Sequence, residues 1–92
     1  MAQHHVGGFG AEKQPDDEVH DLLHHLKDEI RTHSGVHFET LTATGYHTQV
    51  VAGTNFLIHA TTDTGVKLEV KIFRPLPHTG NPAQLTHAHV VQ

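Results

Sequence analysis

The hydrophobic patterning of this 92-residue chain predicts an α+β fold, one α-helix wrapped by an antiparallel sheet of four to five β-strands. Three observations carry that prediction. Apolar residues recur at helical spacing over 17–33, the spacing changes to two after Gly35, and Gly and Pro divide the remainder into strand-length pieces. The length suits one core, so 1–92 is read as a single domain: an arm over 1–15, a helix over 17–33 and a sheet over 36–92.

The first 15 residues hold Gly7, Gly8, Gly10 and Pro15 among scattered apolar side chains, the composition of a mobile arm. Asp16, Asp17 and Glu18 then supply a capping side chain and the negative charge that a helix N-terminus favours. Val19, Leu22, Leu23, Leu26 and Ile30 form one apolar stripe, which Ser34 and Gly35 end. Val36 to Thr48 alternates and is rich in β-branched and aromatic residues, with Gly45 placed for a bulge. Phe56 to Thr61 reads as a second strand and Thr62-Asp63-Thr64-Gly65 as a turn. In the third strand Val66, Leu68, Val70 and Ile72 face inward, and Lys67, Glu69 and Lys71 face out. Three prolines make 74–82 a loop, because proline cannot donate to a ladder, and Leu85 to Val91 is the last strand.

Composition removes several classes of function. There is no cysteine, so no disulfide framework, thiolate nucleophile or Cys-type zinc site. Neither a basic, apolar leader nor a run of membrane-span length occurs, which reads as a cytoplasmic protein. Six basic residues against ten acidic ones leave a formal charge of −4, without a basic cluster for nucleic acid or an anionic membrane. An enzyme is disfavoured too. Asp16, Asp17 and Glu18 fit a helix cap better than an acid/base pair, and no nucleophile triad or phosphate loop is present.

The stretch Gln49-Val50-Val51-Ala52-Gly53 is apolar where the chain must reverse. On spacing alone the valines either end a strand over an Ala52-Gly53 turn or present a contact surface. A hairpin tip cannot bury both in its own core, and apolar groups held in water at a projecting point mark contact surfaces. A second apolar tip, Leu76-Pro77, falls at the same end of an antiparallel meander, and Val6-Gly7-Gly8 on the arm can reach it.

Gln-x-Val-x-Gly at Gln49, Val51 and Gly53, a glycine in the arm and Leu-Pro in the last loop together resemble the cystatin family of papain-like cysteine protease inhibitors. The absence of cysteine and of a leader is similar to its intracellular branch, the stefins, and the pattern lies on the chain from Gly7 to Pro77 without a gap. The resemblance implies a cystatin-like fold and a reversible, tight-binding inhibitor of proteases such as papain and the cathepsins, with no cofactor. Carried over, Val6, Gly7 and Gly8 would occupy the non-primed subsites. Gln49, Val50, Val51, Ala52 and Gly53 would cover the catalytic centre, and Leu76, Pro77 and His78 would rest on the primed side.

The alternatives are a module that uses the same tips for an unrelated partner, and a metal- or pH-responsive binding protein. Twelve histidines motivate the latter. His20 and His24 lie i, i+4 on the helix, and His87 and His89 share one face of the last strand, but the sequence places no third ligand beside either pair. The chain is read as a monomer without a metal site. Strand exchange through a hairpin strained at Val51, giving a domain-swapped dimer, is the competing state.

Overall fold

The structure, a computed structural model, describes residues 8–91. Val6 and Gly7 therefore lie outside the described residues. Asp16 opens the helical region: its Oδ1 accepts the Val19 N–H at 3.1 Å, while acidic Asp17 and Glu18 occupy the first turn. Helix α1 spans Asp17–His25 and α2 spans Lys27–Ser34, which corrects the single helix read from the periodicity. Leu26, at φ −101° and ψ 14°, separates them. The i→i−4 bonding nonetheless continues across the break, from Leu26 N–H to Leu22 C=O at 3.1 Å and from Ile30 N–H to Leu26 C=O at 2.9 Å. The apolar stripe stays in register as a result, with Val19, Leu22, Leu23, Leu26 and Ile30 all buried. Gly35 ends α2 in the left-handed conformation at φ 73°, where a side chain would be strained.

Four strands follow: β1 Leu41–Val51, β2 Gly53–Thr62, β3 Lys67–Arg74 and β4 Gln84–Val90. They form one antiparallel sheet in the order β1-β2-β3-β4. The helical stripe packs on Ala43, Tyr46, Phe56, Ile58, Ala60, Leu68, Val70, Ile72 and Ala88 from the inner sheet face. Ile58, Val70 and Ile72 are fully buried, each worth about 1.5–3 kcal/mol on hydrophobic transfer. The register slips between Ala43 and Gly45, so Thr44 is the extra residue of a bulge.

Residues 36–40, read as the start of a strand, are instead a connector. Their backbone groups are taken by side chains before a ladder can use them. Arg31 Nε–H donates to the Phe38 carbonyl at 2.8 Å, and Asp63 Oδ1 accepts the Glu39 and Thr40 N–H groups at 2.8 and 3.1 Å. Phe38 turns into the core under the Arg31 guanidinium, 5.2 Å from the ring centroid.

The reading of 1–15 as an unpacked arm is corrected for residues 8–15. Gly10 N–H donates to Thr48 C=O at 3.0 Å, and Lys13 and Tyr46 exchange backbone bonds of 2.7 and 3.1 Å along the outer edge of β1. Phe9 is only 4% exposed and lies against the outer sheet face, where the Lys71 ammonium sits 5.6 Å from its ring centroid. Leu57, the register partner of Lys71, is buried on that face too. His47 clamps the segment, its Nδ1–H donating to the Gly10 carbonyl at 2.8 Å. Glycine content signalled a free arm, but the buried Phe9 ring, the backbone bonds of Gly10 and Lys13 and the His47 bond together hold it to the sheet.

Candidate functional site

The β1–β2 hairpin reverses about Ala52, with Gln49 opposite Asn55, Val50 opposite Thr54 and Val51 opposite Gly53. The start of α1 meets β1 at Tyr46, whose hydroxyl donates to Asp16 Oδ2 at 3.0 Å, and the hairpin continues well past that point. Nothing of the helix covers its end, so Val50 is 82% exposed and Val51 47% exposed, with Ala52 exposed between the strands.

Gly53 is different. It is buried at φ 128°, and a Cβ there would stand 2.6 Å from the Arg74 carbonyl oxygen and 2.8 Å from two atoms of the Phe73 ring. Only glycine allows the tip to lie this close to the end of β3. Since Thr54 pairs with Arg74, the chain leaving β3 enters its loop directly beside the hairpin tip.

That loop is held by its own hydrogen bonds. The Leu76 carbonyl accepts the Thr79 N–H at 3.0 Å and the Thr79 hydroxyl at 2.7 Å, which closes a single 3₁₀ turn over Pro77–Thr79. Asn81 N–H donates back to Thr79 Oγ1 at 3.3 Å. Leu76 is 39% exposed, and Pro77 and His78 are exposed beside it. Arg74 fixes where the loop begins. Its guanidinium pairs with the Glu18 carboxylate at the start of α1 and lies 5.0 Å from the centroid of the Phe56 ring.

Gln49 joins the third segment to the first. Its Oε1 accepts from Asn55 Nδ2 at 3.0 Å, and its Nε2 lies where a Cβ on Gly8, at φ 87°, would come within 2.7 Å. Gly8 is thus packed against the root of the hairpin. The structure brings together Gly8, Gln49, Val50, Val51, Ala52, Gly53, Leu76, Pro77 and His78. Sequence reasoning missed the supporting set of Glu18, Asn55, Phe73 and Arg74: the last three lie near the tips in sequence, whereas Glu18 reaches Arg74 from the start of α1 and carried no such signal.

No Asp, Glu, Lys or Arg occurs in 49–53 or 75–83, so the projecting edge offers apolar groups, backbone amides and the short polar side chains and imidazole of 78–81. Among the described residues no three His, Cys, Asp or Glu side chains are grouped to hold a metal ion, and no helix is long and apolar enough to cross a membrane.

No family model matches the chain. Curated proteins do. Cystatin-A2 of Dictyostelium discoideum is 34% identical over 70 residues, covering 76% of this chain and 73% of that protein. Stefin-C of Bos taurus is 28% identical over 81 residues, covering 88% and 80% respectively. A leukocyte cysteine proteinase inhibitor of Sus scrofa is 27% identical over 80 residues, covering 87% and 78%. With one helical layer under a four-stranded antiparallel meander and identity of this extent over most of both sequences, the chain belongs to the cystatin family.

Proposed function

We propose that the protein is a reversible inhibitor of papain-like cysteine proteases that acts by occupying their active-site cleft rather than by chemistry of its own. The observation that carries this reading is the side-by-side projection of two uncharged tips, Val50 and Val51 on one and Leu76 on the other, from a chain of this family. Exposed apolar groups on preorganised turns gain by desolvation when they enter a concave partner. In this reading Gln49 to Gly53 cover the catalytic centre and Leu76, Pro77 and His78 rest on the primed side. Val6, Gly7 and Gly8 follow the cleft on the non-primed side. A wedge of this kind suits an interface of roughly 1,600 Å² in total. The lack of cysteine supports an intracellular setting.

The test is titration of active papain, then of cathepsins, with the protein and with Gly53→Glu at pH 5.5 and 7.0. Stoichiometric, reversible inhibition by the parent, lost in a folded Gly53→Glu, is the expected result. No inhibition from a folded monomer would assign the tips to another partner. Deleting 1–8 is expected to speed dissociation more than it slows association, because the deleted segment adds contacts after the tips have docked.

A further inference from the structure

We propose that the outer face of the sheet, the side turned away from the helices, is a docking surface for inorganic polyphosphate when its imidazoles are protonated. The sequence has no run of basic residues, but the sheet register assembles one. Gly45, His59, Glu69 and His89 lie opposite one another across the four strands, and His47, Leu57, Lys71 and His87 form the row beside them. Ile58 and Val70, between these rows on β2 and β3, point into the core, so both rows face outward. Lys67 flanks the first row on the same face, and Glu12 of the N-terminal segment lies against Gly45. With neutral imidazoles, Lys67 and Lys71 are balanced by Glu12 and Glu69. Protonating His47, His59, His87 and His89 then leaves the face cationic by those four charges, and Lys13 adds one more at the β1 edge, where its ammonium donates to Thr48 Oγ1 at 3.1 Å.

The helical layer responds differently. Asp16, Asp17, Glu18, Asp21, Asp28 and Glu29 match Lys27, Arg31 and the protonated helix histidines there, so that layer stays balanced in acid. Where α2 meets β4 it brings His33, edge-on to His87 with ring centroids 6.0 Å apart, and Asp28 and Glu29 one turn earlier. The outer face thus becomes the cationic side of the molecule. Its chemistry also selects the occupant. Phe9 and Leu57 are buried, so no aromatic ring is open to stack on a base or a sugar, and no apolar side chain projects from either row into a bilayer. What remains is charge and N–H donors, which suit a bare chain of phosphates. The internal units of polyphosphate stay ionised at the pH that protonates imidazole. A groove of about 360 Å³ on this face, lined by Thr44, His59, Thr61, Lys67 and Val91, gives such a chain a seat, with Glu12 opposing it from the wall. Neither row contains a residue of the two tips, so the inference does not rest on protease binding.

The experiment is calorimetric titration of the full chain with polyphosphate in low salt at pH 5.0 and 8.0. It uses a His4→Asn, His5→Asn background to remove the histidines outside the described residues. Saturable binding at pH 5.0 is expected, about tenfold or more weaker at pH 8.0 and weakened again by added salt. His59→Asn with His89→Asn should weaken binding at pH 5.0 by about tenfold, whereas His20→Asn with His24→Asn, the same change of net charge on the helical layer, should leave it unchanged. Glu12→Gln should tighten binding, a gain that misfolding cannot mimic. None of these side chains is buried, and an amide spectrum verifies the fold of each variant. Absence of saturable binding at pH 5.0, or equal losses from the two double variants, would overturn the surface. Tighter binding of heparin, single-stranded DNA or anionic vesicles than of polyphosphate would overturn the assignment of its occupant.

Discussion

The carboxylate of Asp16 serves two elements at once, accepting from the Val19 amide of α1 on one oxygen and from the Tyr46 hydroxyl of β1 on the other. Both bonds favour the ionised form, so its pKa is lowered, chiefly by the Val19 amide and against a smaller effect of desolvation. Asp63 is lowered likewise by the Thr40 and then the Glu39 amide. A carboxyl whose pKa is lower folded than unfolded stabilises the fold above its unfolded value near ~3.9, and that stabilisation is lost as pH falls through the folded value. Melting temperature should therefore drop below about pH 4, and Asp63→Asn should flatten the drop while lowering the plateau at neutral pH. Tyr46 runs the other way. Burial first, and the Asp16 carboxylate second, raise its pKa, so its contribution is complete below about pH 10 and is lost as pH rises through the folded value. Tyr46→Phe should show a shallower alkaline loss in the same melts. At Gly53, alanine would meet both a positive φ and the Phe73 ring, and urea unfolding should report a cost of about 1–3 kcal/mol.

Elements whose signal is local were legible beforehand. The stripe from Val19 to Ile30 and the alternation from Leu68 to Ile72 each state which side faces the core, and the bulge beside Gly45 announced itself through a glycine inside a strand pattern. The exposed valines of the first tip were legible for the same reason, since a turn that is apolar is odd on its own. What stayed hidden joins residues far apart in sequence. Nothing near 36–40 says that Arg31 and Asp63 will take its backbone groups, and nothing near Phe9 says that Lys71 awaits it on the outer face. Packing of Gly8 on Gln49 and of Gly53 on Phe73 is of the same kind. Two substitutions separate the layers. Ile58→Ala, in a fully buried position, should cost about 2–5 kcal/mol by chemical denaturation. Phe9→Ala should leave exchange protection in β2 and β3 intact while the amides of Gly10 and Lys13 exchange rapidly; retained protection there would show that another group anchors the segment.

At the scale of the molecule, histidine makes charge the property most open to change. Protonating all twelve would move the formal charge from −4 to about +8. Inhibition constants measured from pH 7 to 5 should shift accordingly, and the shift should shrink at high salt; a flat series would remove the electrostatic role. The sheet itself has unequal sides. Residues 10–13 already bond to the outer edge of β1, whereas the far edge of β4 has no neighbouring strand among the described residues. Among the described residues β4 is therefore the more open of the two sheet edges. On β1 the bonds from Gly10 and Lys13 take up the stretch around Tyr46 and Thr48. The aromatic ring that tethers the N-terminal segment thus sits beside a backbone strip that leaves fewer free amides on that edge for another strand to meet.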